Sequence, residues 1–149
     1  MSGAVQAFSH FGICVTDLEQ SLAFYCDGLG FEPALSHDVG DDYARLMELE
    51  HVTLQSRFIA LGTTSIELLH FVDPPAEGVT ERRRINQLGL THLSLRVDDI
   101  DTVAEAITRH GGAVVEGTRT TIDLGSVQLE FVYCTDPNGV RIELMKLPG

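Results

Sequence analysis

A chain of 149 residues, 44% hydrophobic and 21% charged, can bury a core and has the composition of one globular domain. Its formal net charge of −12 works against nucleic acid or an anionic membrane as a partner, and the charge itself serves solubility. No apolar run approaches the ~20 residues that span a bilayer. The opening Met1-Ser2-Gly3-Ala4-Val5 lacks the basic-then-apolar order of a leader. Cys14, Cys26 and Cys134, with no CxxC pair, read as reduced and mostly buried thiols, so the expectation is a cytoplasmic protein.

In chain order, Phe8 to Val15 reads as a strand with Phe11, Ile13 and Val15 on one face and Phe8, His10, Gly12 and Cys14 on the other. Asp17, with Gln20 three residues on, marks a helix start whose apolar stripe is Leu18, Leu22 and Tyr25 or Cys26. Gly28 and Gly30 end it. Phe31 to Leu35 is a short strand, Asp38 to Asp42 an acidic loop, and Tyr43 to Glu50 a loop or short helix. Val52 to Leu61, Gly62-Thr63-Thr64 and Ser65 to Phe71 form a hairpin. Residues 74–89, polar and centred on Arg82-Arg83-Arg84, are a linker.

The order then repeats. Thr91 to Val97 is a strand, and a helix starts near Asp99 or Asp101 with Ile100, Val103, Ala104 and Ile107 on its apolar face. Gly111-Gly112 closes that helix. Ala113 to Glu116 and Val127 to Cys134 are strands, and the Asp136-Pro137-Asn138-Gly139 turn leads into Val140 to Met145. His10 and His92 stand at the same place in the two copies (92 − 10 = 82), as do Gly30 and Gly112 (112 − 30 = 82). The last strands match as well, with Glu67 and Glu143 each alone among aliphatic residues. The expectation is an α+β fold of two βαβββ modules, 8–73 and 90–147. Their sheets would curl into a half-open mixed barrel, helices outside and the His and Glu faces inward.

Taken singly, each glutamate reads as a solvated carboxylate and each histidine as a hydrogen-bonded one. Taken as a symmetric set, His10, Glu67, His92 and Glu143 read as ligands to one divalent ion: Ni, Co, Zn, Mn or Fe. Positions left to water or substrate would make the site catalytic. Arg96, on the face of His92, is an anion-binding candidate. Arg82-Arg83-Arg84 reads first as a solvated linker and second as a phosphate or carboxylate contact. His70 falls on the face opposite Glu67, and His37, His51 and His110 have no evident partner.

The module order, the two His-bearing strands, the DPNG turn and the IEL strands resemble the vicinal oxygen chelate superfamily over nearly the whole chain, roughly Phe8 to Lys146. That group contains glyoxalase I, methylmalonyl-CoA epimerase, valiolone-type epimerases, extradiol dioxygenases and the fosfomycin and bleomycin resistance proteins. The resemblance carries its four ligand positions onto His10, Glu67, His92 and Glu143, an order similar to bacterial glyoxalase I. It implies an isomerase, epimerase or lyase acting on a small molecule with vicinal oxygens. A proton leaves the carbon next to a carbonyl, and the ion stabilises the enediolate. Glu143 is the first choice of base and Glu67 its partner; Glu48 and Glu50 read first as solvated loop acids and second as a further acid as in the CoA epimerases. A homodimer is implied. The alternatives are a non-catalytic binding or resistance protein of this fold and an extradiol-type dioxygenase.

Overall fold

A computed structural model describes residues 3–148; Met1 and Ser2, where the leader argument begins, and Gly149 lie outside the described residues. The chain divides into two compact units. One holds the residues up to Leu18 and Gly30–Glu77; the other holds Glu19–Leu29 and the residues from Gly78 on.

The first unit is a four-stranded sheet of β1 (Phe11–Cys14), β2 (Glu32–Val39), β3 (Thr53–Leu61) and β4 (Thr64–Asp73), ordered β1-β4-β3-β2. β1 runs parallel to β4, and the other pairs are antiparallel. The pleat sends Ile66 and Leu68 of β4, 2% and 0% exposed, to one face. Each such side chain contributes about 1.5–3 kcal/mol by leaving water. Glu67, Leu69 and Phe71 take the other face. Because Gly12 pairs with Glu67, His10 two residues earlier falls on the glutamate's side.

In this unit the start of β1 and the end of β2 differ most from expectation. β1 begins at Phe11 because its ladder starts with Phe11 opposite Ile66, so His10 stands just ahead of the strand. β2 extends to Val39 instead of ending at Leu35, since it pairs with β3 along Val39 to Glu32. Its polar outer residues hide that in the sequence, Asp38 being ion-paired to Arg57 at 2.9 Å. After β2 a 3-10 turn at Asp41–Tyr43 leads into an apolar cluster. Val39, Ala44, Val52 and Leu54 gather there with Met47, Leu49, Leu69 and Phe71, beside Glu67 on its own face.

The second unit repeats the pattern with one strand added: β5 (Leu93–Arg96), β6 (Ala113–Val114), β7 (Thr120–Asp123), β8 (Gln128–Thr135) and β9 (Arg141–Lys146). The order is β5-β9-β8-β6, with β7 also on β8 and β5 parallel to β9. The expected strand from Thr91 starts at Leu93, where pairing with Ile142 begins. The sequence gives no sign of β7: all four residues are exposed, so no apolar alternation marks it, and only the ladder to β8 makes it a strand. Each sheet is open, with mixed strands, and among the described residues neither closes into a barrel.

Helix α2 (Ile100–Arg109) is capped by Asp99, whose Oδ1 accepts from the Thr102 amide at 2.8 Å. That hydrogen bond first, and the Thr102 hydroxyl second, hold the Asp99 carboxyl below the usual aspartate value. The unfolded value is about 3.9, so the cap's contribution is complete above it and is lost as pH falls through the lower folded value. Asp99→Ala is therefore expected to lower the thermal midpoint at pH 7. The gap from wild type, followed by circular dichroism, closes as the pH is taken towards 3.

Helix α1 (Leu18–Leu22) continues as a π-helical turn over Ala23–Gly28. The buried residues are Leu18, Ser21, Phe24 and Tyr25, in place of the expected stripe of Leu18, Leu22 and Tyr25 or Cys26. The segment from Glu19 belongs to the second unit. Tyr25 donates its hydroxyl to Asp136 Oδ2 at 2.9 Å, and Asp136 Oδ1 accepts the amides of Asn138 and Val140, each at 2.8 Å, inside the expected turn. Burial pushes the Asp136 carboxyl up and the Tyr25 hydroxyl well above its usual value. Of the three thiols expected to be mostly buried, only Cys134 is, and burial pushes it up to about 11. Cys14 is exposed at the end of β1, on the face that also carries Gly12 and His10. No helix among the described residues is long and apolar enough to cross a membrane.

Candidate metal centre

The sheet registers bring the proposed ligands together in pairs. In the first unit His10 Nε2 lies 3.2 Å from Glu67 Oε2, and in the second His92 Nε2 lies 3.7 Å from Glu143 Oε2. Each pair is built alike. The other ring nitrogen, Nδ1, is 2.8 Å from Ser9 Oγ in one pair and 2.9 Å from Thr91 Oγ1 in the other. The other carboxylate oxygen, Oε1, accepts a serine hydroxyl: Ser56 onto Glu67 at 2.6 Å and Ser94 onto Glu143 at 2.8 Å. An aromatic ring stands beside each imidazole, Phe58 at 5.0 Å from His10 and Tyr133 at 5.7 Å from His92 between centroids. Phe58 and Tyr133 are the cross-strand partners of Glu67 and Glu143.

This division of labour suits a divalent ion. A metal-ligating imidazole usually gives its second nitrogen to an oxygen that fixes the ring, and a ligating carboxylate is itself hydrogen-bonded. Here one nitrogen and one oxygen of each pair are held from outside, and the remaining nitrogen and oxygen face each other. The glutamate side chains are each 18% exposed, so their charges are half-withdrawn from water without being stranded. Among the described residues no cluster of three or more His, Cys, Asp or Glu forms; the units present these ligands as pairs.

Next to Glu143 the second unit has a cavity of about 240 Å³, walled by Thr118, Thr120, Ile122, Phe131 and Tyr133. The unexpected strand β7 supplies two of those residues, so it builds the wall. Thr118 Oγ1 is already engaged, donating to the Val115 carbonyl at 2.7 Å and accepting the Tyr133 amide at 3.0 Å.

The other candidates fall elsewhere. Arg96 is exposed and pairs in register with Met145, two residues past Glu143 on the same face. Arg82 and Arg84 are exposed. Glu48 and Glu50 are also exposed, alternating with Met47 and Leu49, which turn into the apolar cluster; Glu48 takes φ 58. His70 Nδ1 lies 3.4 Å from the Val15 carbonyl, and His110 Nδ1 lies 2.8 Å from that of Ala106. His51 is 3.2 Å from Asp41, and His37 stacks edge-on to Tyr43 at 5.8 Å. None of these four joins a ligand pair.

A family model described as the Glyoxalase/Bleomycin resistance protein/Dioxygenase superfamily matches residues 7–144. The chain belongs to that superfamily. It is similar to a 2-epi-5-epi-valiolone epimerase of Actinomyces sp, 30% identical, covering 99% of this chain and 82% of the relative. It is also similar to a Synechocystis sp. protein described as "Probable lactoylglutathione lyase", 30% identical, covering 92% of each. Among solved structures, a glyoxalase family protein from Bacillus cereus has the same fold, with a TM-score of 0.84 and 21% identity over 99% of this chain and 98% of that one. The superfamily thus includes epimerase and lyase relatives of this chain.

Within this glyoxalase-superfamily chain the hydroxyl partners went unread in the sequence, although one signal was there. Ser9 and Thr91 precede the two histidines at the repeat's own offset (91 − 9 = 82). Ser56 and Ser94 carry no such mark. They reach the glutamates from β3 in one unit and β5 in the other.

Proposed function

We propose that this chain is a metal-dependent isomerase, epimerase or glyoxalase-like lyase that moves a proton on the carbon next to a carbonyl of a small molecule with vicinal oxygens. His10, Glu67, His92 and Glu143 would hold one divalent ion, Ni, Co, Zn, Mn or Fe. The observation that carries this reading is the matched construction of the two pairs. Hydroxyls hold Nδ1 and Oε1 in each, and Nε2 and Oε2 are presented together. A pair serving only stability would gain little from being built the same way twice. When bound, the ion supplies Lewis acidity to the two substrate oxygens.

The chain's own groups do the rest. Glu143, an acceptor oriented by Ser94 at the edge of the cavity, takes the proton and returns it, to the neighbouring carbon in an isomerisation or to the opposite face in an epimerisation. Glu67, oriented by Ser56, is its partner acid. Phe131, Ile122 and Tyr133 exclude water from the substrate's apolar part. Arg96 offers an exposed guanidinium to an anionic substrate group. The reading extends to a homodimer, as the superfamily resemblance implies, and to the cytoplasm, a reducing compartment in which the free thiols of Cys14, Cys26 and Cys134 would stay reduced.

The test is metal content by elemental mass spectrometry on protein purified without added metal or chelator. About one ion per chain is expected, largely lost in the Glu67→Gln, Glu143→Gln double variant. A wild type that holds no metal and takes none up when offered sinks the enzyme reading and leaves a small-molecule binding protein of this superfamily.

A further inference from the structure

The linker before His92 is tied down by two arginines, and the second of them stands among the residues of the His92–Glu143 pair. Arg83 ties the segment to itself: Nη2 donates to the Leu88 carbonyl at 2.6 Å and Nε to Gln87 Oε1 at 3.3 Å. The main chain at Thr80 passes so close to Gly139 that a side chain there would meet the Thr80 carbonyl. Arg141 makes the next tie. Its Nη2 donates to the Arg83 carbonyl at 2.5 Å, and its guanidinium carbon lies 5.0 Å from the centre of the Tyr133 ring.

Arg141 is 8% exposed, and its buried Nε has no hydrogen-bond partner. It sits two residues before Glu143 on β9 and therefore on the same sheet face. Tyr133 is the residue opposite Glu143 on β8, and its ring rests beside the His92 imidazole. Burying a charged group with an unmade hydrogen bond is unfavourable. An apolar side chain of the same length would fill the space without that cost. What only a guanidinium does is hold a main-chain carbonyl and cover an aromatic face with the same rigid plane.

We propose that Arg141 is a positioning residue for the His92–Glu143 pair. It locks both the linker that delivers His92 and the ring against which the imidazole rests, and the proposal rests on the reading of that pair as metal ligands. It also accounts for part of the arginine run: Arg83 is an internal tie, with its carbonyl serving as Arg141's anchor.

The experiment compares wild type with Arg141→Met and Arg141→Lys, and with Ile107→Val as a control that loosens the core of the same unit away from the pair. Two properties are read: the imidazole nitrogen NMR signals of the metal-free protein, and Co²⁺ affinity by titration. In Arg141→Met the His92 signals move and Co²⁺ affinity falls about tenfold or more. Arg141→Lys shows the same change in direction, because one ammonium cannot make both contacts, and it is the milder variant should Arg141→Met fail to fold. Ile107→Val lowers the thermal midpoint with both readouts at wild-type values. Arg141 variants that lose only stability, with His92 signals and Co²⁺ affinity unchanged, overturn the proposal. If the wild type binds no Co²⁺, the ligand reading fails on its own, and the His92 signals alone decide: moved supports the positioning role, unmoved overturns it.

Discussion

Glu143→Gln is expected to slow proton exchange at the substrate carbon by about 10²- to 10⁴-fold, the span that a positioned general base contributes. The substitution is nearly isosteric and keeps an oxygen for the Ser94 hydroxyl, which now lies 2.8 Å from Oε1. It removes the negative charge beside the cavity, and with it the proposed base and one proposed ligand. Ile142 and Leu144 on either side are fully buried and face away, so β9 holds its place. The measurement is uptake of solvent deuterium by α-hydroxy thioesters, CoA thioesters and keto-cyclitols. Because the same carboxylate is a proposed ligand, the rate is expressed per bound ion, which separates a lost base from a lost metal. A Glu143→Gln protein that exchanges at the wild-type rate per ion, while Glu67→Gln does not, would assign the base to Glu67 instead.

The largest effect on stability is expected at Gly112. A Cβ there would overlap the Thr135 carbonyl oxygen and stand 2.7 Å from Phe24 Cε2 and 2.8 Å from Ile107 Cγ2. Phe24 and Ile107 are fully buried, and the Thr135 main chain is pinned by its pairing with Ala113, so none of the three can retreat cheaply. Gly112→Ala should destabilise the fold by about 3 kcal/mol, at the upper end for an overpacked core, read as a fall in the urea midpoint with the slope unchanged. Gly30, its counterpart in the repeat, is glycine for another reason. Nothing lies within 4 Å of its would-be Cβ, but its φ of 77 lies in the left-handed region. Gly30→Ala should therefore cost only about 1–2 kcal/mol. Equal losses at the two positions would refute this account of Gly112.

That contrast shows how far the repeat could be read. The offset of 82 places His10 with His92 and Gly30 with Gly112 from letters alone. For the histidines the equivalence is physical. Each histidine stands one residue ahead of a strand that runs parallel to the glutamate's strand, so matched positions face the same way, and both imidazoles meet a glutamate. For the glycines it is not, because one answers to backbone conformation and the other to a neighbour far along the chain.

By itself the sequence determined the βαβββ order, the hairpin at Gly62, the start of α2 to within Asp99 or Asp101, the DPNG turn, and the faces on which His10, Glu67, His92 and Glu143 lie. All of these depend on period, turn chemistry or capping within a few residues. Tertiary structure decided the rest, where contacts join distant residues. Tyr25 meets Asp136, 111 residues away, and with it the helix of the first module joins the second unit. β7 is a strand only because β8 offers it a ladder. The hydroxyls of Ser56 and Ser94 and the guanidinium of Arg141 acquire their roles the same way, from partners 11, 49 and 58 residues off, a separation no local pattern records.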